Sequence, residues 1–214
     1  MSNIKITYFN IEGLAEPLRL TLKLAGQKFE DNRIEFQDWP ALKPTTPAGT
    51  LPLMEVDGEV MTQSGAVLRM WGSQFGMYPS DAMERFRCDE LIETCGDIGK
   101  SLAPSMYIMM MPERMGHEDR SQEERAAIQM KLRVALVEQL PAVFKNLNNL
   151  VAKRSMLTTG KIDIADCVTI CLLRRFRSGV MDGIPKDCFD KFADLVKLFD
   201  QFHANDVVKA HYAK

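Results

Sequence analysis

The 214-residue sequence predicts a small mixed α/β domain followed by an all-helical one. Three observations carry this reading. Short runs of alternating apolar and polar residues occur only in the first third of the chain. A Val-Asp-Gly-Glu signal at 56–59 joins two of them, Asp-Gly being a preferred two-residue hairpin turn. After the segment SQFGMYPSDAMER (73–85) the apolar residues recur at helical spacing and no strand pattern returns.

The elements follow in order. IKITYF (4–9) alternates and reads as a strand. AEPLRLTLKLA (15–25) carries Leu at 18, 20, 22 and 24, a two-residue interval that leaves helix and strand both open. Glu16 and Pro17 nevertheless suit a first helical turn, and Gly26 suits a stop. A second strand is expected over 29–36, then a Pro- and Thr-rich loop, QDWPALKPTTPAGTLP (37–52). The hairpin LPLMEVDGEVMTQS (51–64) leads into a helix from Gly65. The order β-α-β-loop-β-β-α closes one domain over 1–79, and a second, helical domain over 81–214 follows. Its helices are expected over 82–111, 121–153, 163–178 and 187–203. DIAD (163–166) reads as an acidic capping box, with Asp163 at the N-cap and Asp166 at N3. The apolar run CVTICLL (167–173) behind it marks that helix as central to its domain.

Composition excludes several classes. Lys plus Arg is 27 and Asp plus Glu is 29, a formal charge of −2 with no basic stripe, so nucleic acid is not an expected partner. The first ten residues lack a basic stretch followed by an apolar one, and no window approaches the roughly 18 apolar residues of a membrane span. Five cysteines form no Cys-x-x-Cys pair, and with three histidines no zinc-spaced ligand set appears. A reduced, cytoplasmic, metal-free protein is expected. Methionine is abundant, at fourteen residues, four of them in SMYIMMMP (105–112). That stretch reads either as a methionine-rich core or as a surface adaptable to varied apolar shapes.

Tyr8 is unusual at the end of its strand, where a core strand ordinarily finishes in a small or polar residue. Read singly, Tyr8 is a packing residue, Trp39 and Lys43 are loop residues, Ser64 is an N-cap and Asp97 a solvated helix position. Jointly, Tyr8, Trp39, Lys43, the TLPL segment around Pro52, the Gln63-Ser64 pair opening a helix, and Asp97 in ETCGDIGK stand in the order of a known family. The sequence resembles the cytosolic glutathione transferases along essentially its whole length, and within them the sigma class. That group includes the haematopoietic prostaglandin D synthases and the S-crystallins of cephalopod lenses.

The resemblance implies a thioredoxin-like N-terminal domain, an all-α C-terminal domain, glutathione as co-substrate, no metal, and a homodimer. It assigns Tyr8 as the catalytic residue, its O–H donated to the glutathione sulfur. A thiol of ordinary pKa, about 8.5, is only a few per cent thiolate at neutral pH, and a donor to the charged form raises that share. Leu51 is implied to pair its backbone with the glutathione cysteine beside a cis Pro52. Gln63, Ser64 and the helix amides behind them are implied to hold the γ-glutamyl carboxylate. Trp39 and Lys43 are implied to contact the glycine carboxylate. Asp97 is implied to reach the partner subunit's glutathione amine. Phe9, Met106, Tyr107 and Met110 are implied to contact a small apolar electrophile, with 207–212 as a lid. One departure stands out. EGLAE (12–16) carries Leu14 where relatives commonly have an arginine directed at the tyrosine, which leaves Arg19 as the nearby candidate cation. The function implied is conjugation of glutathione to apolar electrophiles in detoxification. The alternatives are a glutathione-dependent prostaglandin-type isomerase, or a binding or structural protein of the same fold.

Overall fold

The computed structural model describes residues 3–154 and 156–213. Its contacts divide the chain into two compact units. The first takes Met1–Cys88, Lys161–Cys171 and Phe202–Lys214, and the second takes Asp89–Gly160 and Leu172–Gln201.

The first unit is thioredoxin-like. Strand β1 (Ile4–Phe9) leads through a tight turn into helix α1 (Glu16–Leu24) and strand β2 (Glu30–Ile34). A loop with one short helical turn, α2 (Trp39–Leu42), then precedes the hairpin β3 (Leu53–Val56) and β4 (Glu59–Met61), followed by helix α3 (Ser64–Gln74). The sheet order is β2-β1-β3-β4. β1 runs parallel to β2 and antiparallel to β3, and β3 runs antiparallel to β4. Val56 pairs with Glu59 across the Asp57-Gly58 turn, as that signal predicts. The order β-α-β-loop-β-β-α stands as read from the sequence.

Helix α1 shows why its periodicity was ambiguous. Leu18, Leu20 and Leu22 are buried, and so are Glu16, Arg19 and Thr21. Glu16, Arg19 and Lys23 fall at three- and four-residue spacing, a polar stripe of helical period that the two-residue interval of the leucines masks, so the alternation carries no strand meaning here. It packs on α3 and on the C-terminal helix of the same unit, α9, which runs over Asp206–Tyr212. Asn205 caps α9 by accepting from the N–H groups of Val207 (2.9 Å) and Val208 (3.4 Å).

The long helices α4 (Ala82–Met110) and α5 (Gln122–Val151) come next in the chain. Ser121 and Glu124 form a reciprocal capping box at the start of α5. A short turn, α6 (Met156–Thr159), precedes helix α7 (Ile164–Arg177). The DIAD box is present as expected: Asp163 Oδ1 accepts from Ala165 N (2.9 Å) and Asp166 N (3.2 Å), and Asp163 N donates to Asp166 Oδ2 (2.9 Å). In the second unit Leu136, Leu140, Phe144, Leu147 and Val151 of α5 are buried at three- and four-residue spacing. Phe144 meets Phe176 edge-on, with centroids 5.0 Å apart.

The last helix of the second unit starts later than its pattern suggests. Residues 187–191 form successive turns, and helix α8 spans Ala193–Ala204. Its first amides, Asp194 N (3.0 Å) and Leu195 N (3.2 Å), donate to Asn148 Oδ1 on α5. A cap supplied by another element leaves no local signature in the sequence. Helix α3 likewise begins at Ser64, with Gln63 rather than Ser64 as its N-cap.

Candidate functional site

Strand register gathers most of the expected residues at one end of the sheet. Thr7 pairs with Leu53, so Tyr8, the next residue of β1, ends level with the entry to β3 and the Leu51-Pro52 peptide. That peptide is cis. Met54 pairs with Met61, so β4 exits toward the same end and delivers Gln63 and Ser64 to the start of α3. β2, parallel to β1, also ends there, and the loop carrying Trp39 and Lys43 follows it. Tyr8, Leu51, Pro52, Gln63 and Ser64, with that loop, therefore converge by topology from positions scattered over fifty-odd residues of sequence.

Tyr8 is buried, and the turn after β1 closes over its ring. The N–H of Leu14 donates to the Tyr8 hydroxyl oxygen at 3.2 Å. One lone pair of the phenol is thus engaged, and its O–H can donate to a ligand. Gly13 makes this closeness possible. Its φ is +48°, and a Cβ added there would lie 2.5 Å from Tyr8 Cε1 and 2.6 Å from the hydroxyl oxygen. No side chain other than hydrogen fits. Leu14 itself points largely to solvent, 61 % exposed, so its contribution comes through the backbone.

Gln63 adopts φ +67°, ψ +83°, a conformation that non-glycine residues rarely hold, and its side chain does not cap α3. Strain of this kind costs on the order of 1–3 kcal/mol and persists where a site requires a particular backbone presentation. Gln63 O accepts from Ala66 N (2.9 Å) and Val67 N (3.2 Å). The amides that a carboxylate could use at this exposed end of an eleven-residue helix are therefore those of Ser64 and Gly65.

At the end of β1 the Phe9 ring meets Tyr8 edge-on, with centroids 5.5 Å apart. The Phe9 ring also stacks on Phe36 at 4.4 Å and meets Trp39 edge-on at 5.9 Å, fixing the orientation of Trp39. The methylenes of Lys43 run alongside Gly49. Asp97 lies on α4 in the second unit, exposed and bonded to Lys100 at 2.8 Å. It borders a cavity of about 290 Å³ lined also by Thr94, Ile98, Ser101, Val143 and Asn146. Met106 and Tyr107 are half-buried on the same helix, and Met110 is 49 % exposed. The Arg114 guanidinium sits over the Tyr107 ring at 5.5 Å. The 207–212 segment is helical, and His211 binds Glu16 at 2.6 Å.

Sequence reasoning named Arg19 as a nearby cation but did not find the partners that hold it, Glu16, Asp31 and, through Glu16, His211. Arg19 is fully buried, its Nε 2.9 Å from Asp31 Oδ1 and its Nη1 3.2 Å from Glu16 Oε2. Burial raises the Glu16 pKa, but the His211 hydrogen bond and charge, with Arg19, outweigh it and hold the carboxyl below its ordinary value. Burial pushes the Cys167 thiol far above its usual range and that of Cys188 up to about 11. Among the described residues no cluster of His, Cys, Asp or Glu could hold a metal ion, and no helix is long and apolar enough to cross a membrane.

Comparison with known proteins gives this arrangement its context. Residues 4–69 match the glutathione S-transferase N-terminal domain family, and 115–214 match the glutathione S-transferase C-terminal domain family. Glutathione S-transferase 1 of Ascaris suum is 48 % identical over 109 residues, so the chain spans about half the length of that relative, 53 %, with 51 % of its own. A glutathione S-transferase of Anopheles gambiae is 30 % identical over 220 residues, covering 100 % of this chain and 97 % of the relative. The solved structure of prostaglandin synthase D from Nilaparvata lugens superimposes with a TM-score of 0.81 at 31 % identity, covering 99 % of this chain and 98 % of that one. Likeness that runs the full length in both sequence and backbone, over a sheet end already built around a phenol, leaves one conclusion: the chain belongs to the glutathione S-transferase family.

Proposed function

We propose that this glutathione transferase stabilises the glutathione thiolate with the Tyr8 hydroxyl and transfers it to small apolar electrophiles. The observation that carries the reading is the 3.2 Å bond from Leu14 N–H to the Tyr8 oxygen. With its oxygen accepting from Leu14, the hydroxyl is left able to donate its own proton to a ligand sulfur. Glutathione is held by Trp39, Lys43, Leu51, Pro52, Gln63 and Ser64 at the sheet end. In this reading the thiolate attacks the electrophilic carbon, the leaving group departs or the adduct takes a proton from water, and no covalent enzyme intermediate forms. Positioning and stabilisation of one anion supply the catalysis.

The finer assignments belong to the same proposal. Residues 1–79 act as the glutathione-binding domain and 81–214 as the domain contributing Met106, Tyr107 and Met110 to electrophile contact, with Phe9 from the first. The chain works as a sigma-class-like homodimer in the cytoplasm, in detoxification. Asp97 reaches the partner subunit's glutathione amine, for which it must release Lys100, and its exposure supports that mobility. Asp97→Asn should then weaken glutathione binding about tenfold in calorimetry on a protein confirmed to be dimeric. Unchanged affinity would remove the role.

A second reading, glutathione-dependent isomerisation of a prostaglandin-type endoperoxide, is favoured by the likeness to the Nilaparvata lugens prostaglandin synthase D. The methionine-rich wall supports broad conjugation instead, since unbranched side chains fit many shapes better than they select one. A panel of aromatic and alkenal electrophiles, run beside an endoperoxide assay at matched enzyme concentration, separates the two. Conjugation should exceed isomerisation. Isomerase turnover far above every conjugation rate would reverse the choice, and tight glutathione binding with no turnover at all would indicate a binding protein.

A further inference from the structure

A buried chain of charges links the C-terminal helix to the catalytic phenol. His211 Nε2 on α9 lies 2.6 Å from Glu16 Oε1, and Glu16 Oε2 lies 3.2 Å from Arg19 Nη1. The same Nη1 donates to the carbonyls of Ile11 (2.9 Å) and Glu12 (3.2 Å), which fixes the guanidinium beneath the turn that covers Tyr8. The Arg19 guanidinium carbon stands over the Tyr8 ring, 6.0 Å from its centroid. Nη2 of Arg19 is buried with no hydrogen-bond partner among the described residues. Asp31 on β2 takes Arg19 Nε on one oxygen and Arg33 Nε (2.8 Å) on the other. Around His211 stand the Tyr212 ring at 4.6 Å and, against Tyr212, His203.

The charges sum in a simple way. Arg19 and Arg33 cancel Glu16 and Asp31, so the cluster is neutral when His211 is neutral and carries one positive charge when His211 is protonated. A net positive charge behind a donor phenol favours an anion in front of it. Leu14 stands where an arginine would have supplied that charge from the solvent side, and this chain holds its cation on the buried side.

We propose that His211 is a positioning residue for the reaction: its proton neutralises Glu16, leaves the Arg19 charge free to act through Tyr8, and so raises the thiolate share of bound glutathione. This rests on Tyr8 being the thiolate-stabilising group. By reciprocity, thiolate in the site must favour the protonated His211.

The test uses the full chain saturated with glutathione, reading thiolate by ultraviolet absorbance across the pH range for wild type, His211→Gln, His211→Arg and Tyr8→Phe. Glutamine keeps a donor to Glu16 without charge, and arginine keeps both. His211→Gln should raise the thiol pKa by about half a unit, about a threefold fall in the thiolate-to-thiol ratio at any given pH, while His211→Arg should restore it. Gln and Arg variants that titrate alike would reduce His211 to a structural tie and overturn the inference. Should either variant unfold, nuclear magnetic resonance of His211 in wild type decides. Its ring should hold a proton to higher pH with glutathione bound than with S-methylglutathione, which cannot form a thiolate, and identical titrations would overturn the proposal. Tyr8→Phe separates the layers. If it leaves the thiol titration unmoved, the Tyr8 reading fails; if it shifts the titration while His211→Gln does not, only the present inference fails.

Discussion

Gly13→Ala is the most local perturbation of Tyr8, the proposed catalytic phenol, that leaves its own atoms untouched. The added Cβ would meet Tyr8 Cε1 at 2.5 Å, the hydroxyl oxygen at 2.6 Å and Cζ at 2.9 Å. An ordinary contact needs about 3.5 Å, so ring and turn must separate by about 1 Å. Tyr8 is buried and its ring meets Phe9 edge-on, which leaves little room for retreat. Holding alanine at φ +48° adds about 1 kcal/mol, and relieving an overpacked contact adds about 1–3 kcal/mol, for a loss of about 2–4 kcal/mol in stability. Displacing a catalytic group by about 1 Å lowers turnover by about a hundredfold. The control is Gly26→Ala, which has a similar φ of +66° but nothing within 4 Å of the new Cβ. It should cost about 1 kcal/mol and leave turnover alone. Urea unfolding, with kcat and glutathione KM against a chlorodinitrobenzene electrophile, measures both variants. A Gly13→Ala protein with wild-type kcat would refute the reasoning, because the turn would then yield without moving the phenol.

Two further predictions concern the charges behind the site. Glu16 titrates below its ordinary value of 4.5 in the folded protein, so its ion pairs contribute stability that is present above about pH 4.5 and lost as pH falls through the lowered value. Glu16→Gln should therefore flatten the acid limb of a melting-temperature profile below that pH, and an unchanged limb would assign acid unfolding to other carboxylates. Leu14→Arg should raise the thiolate fraction of bound glutathione at about pH 6.5, but by less than tenfold, because Leu14 N–H already binds the Tyr8 oxygen and Arg19 already lies over the ring. A tenfold or larger gain would mean those two groups contribute little.

The hairpin, the DIAD box and the strand-end position of Tyr8 were legible because each depends on neighbours a few residues away. Val56-Asp57-Gly58-Glu59 carries its own turn chemistry, and Asp163 with Asp166 satisfies amides within a single helical turn. Helix α1 was harder to read because Leu18, Leu20, Leu22 and Leu24 alternate and mask the polar stripe of Glu16, Arg19 and Lys23, two of whose charges are buried. The start of α8 depends on Asn148, some 46 residues earlier, and the tie from His211 to Glu16 spans 195 residues. Contacts of that separation leave no periodicity behind. Gln63 shows a third kind of silence. Nothing in a Thr-Gln-Ser stretch announces a positive φ, because the strain is imposed by what surrounds it. Trp39, Lys43 and Asp97 have no local signature either, and only their order along the chain, matched to a family, singled them out.

The proposed chemistry turns on one group: the Tyr8 hydroxyl, its oxygen held by Leu14 N–H, stabilising the glutathione thiolate. The direct measurement is the ultraviolet thiolate titration of glutathione bound to wild type and to Tyr8→Phe, with affinity checked by calorimetry. Phenylalanine preserves the ring that fills the space under Gly13 and removes only the oxygen. Glutathione affinity should stay within about twofold, the thiol pKa should return toward its solution value of about 8.5, and turnover near neutral pH should fall in step. A bound thiol that still titrates as in wild type, in a folded Tyr8→Phe protein, would contradict the claim and assign the anion to another group.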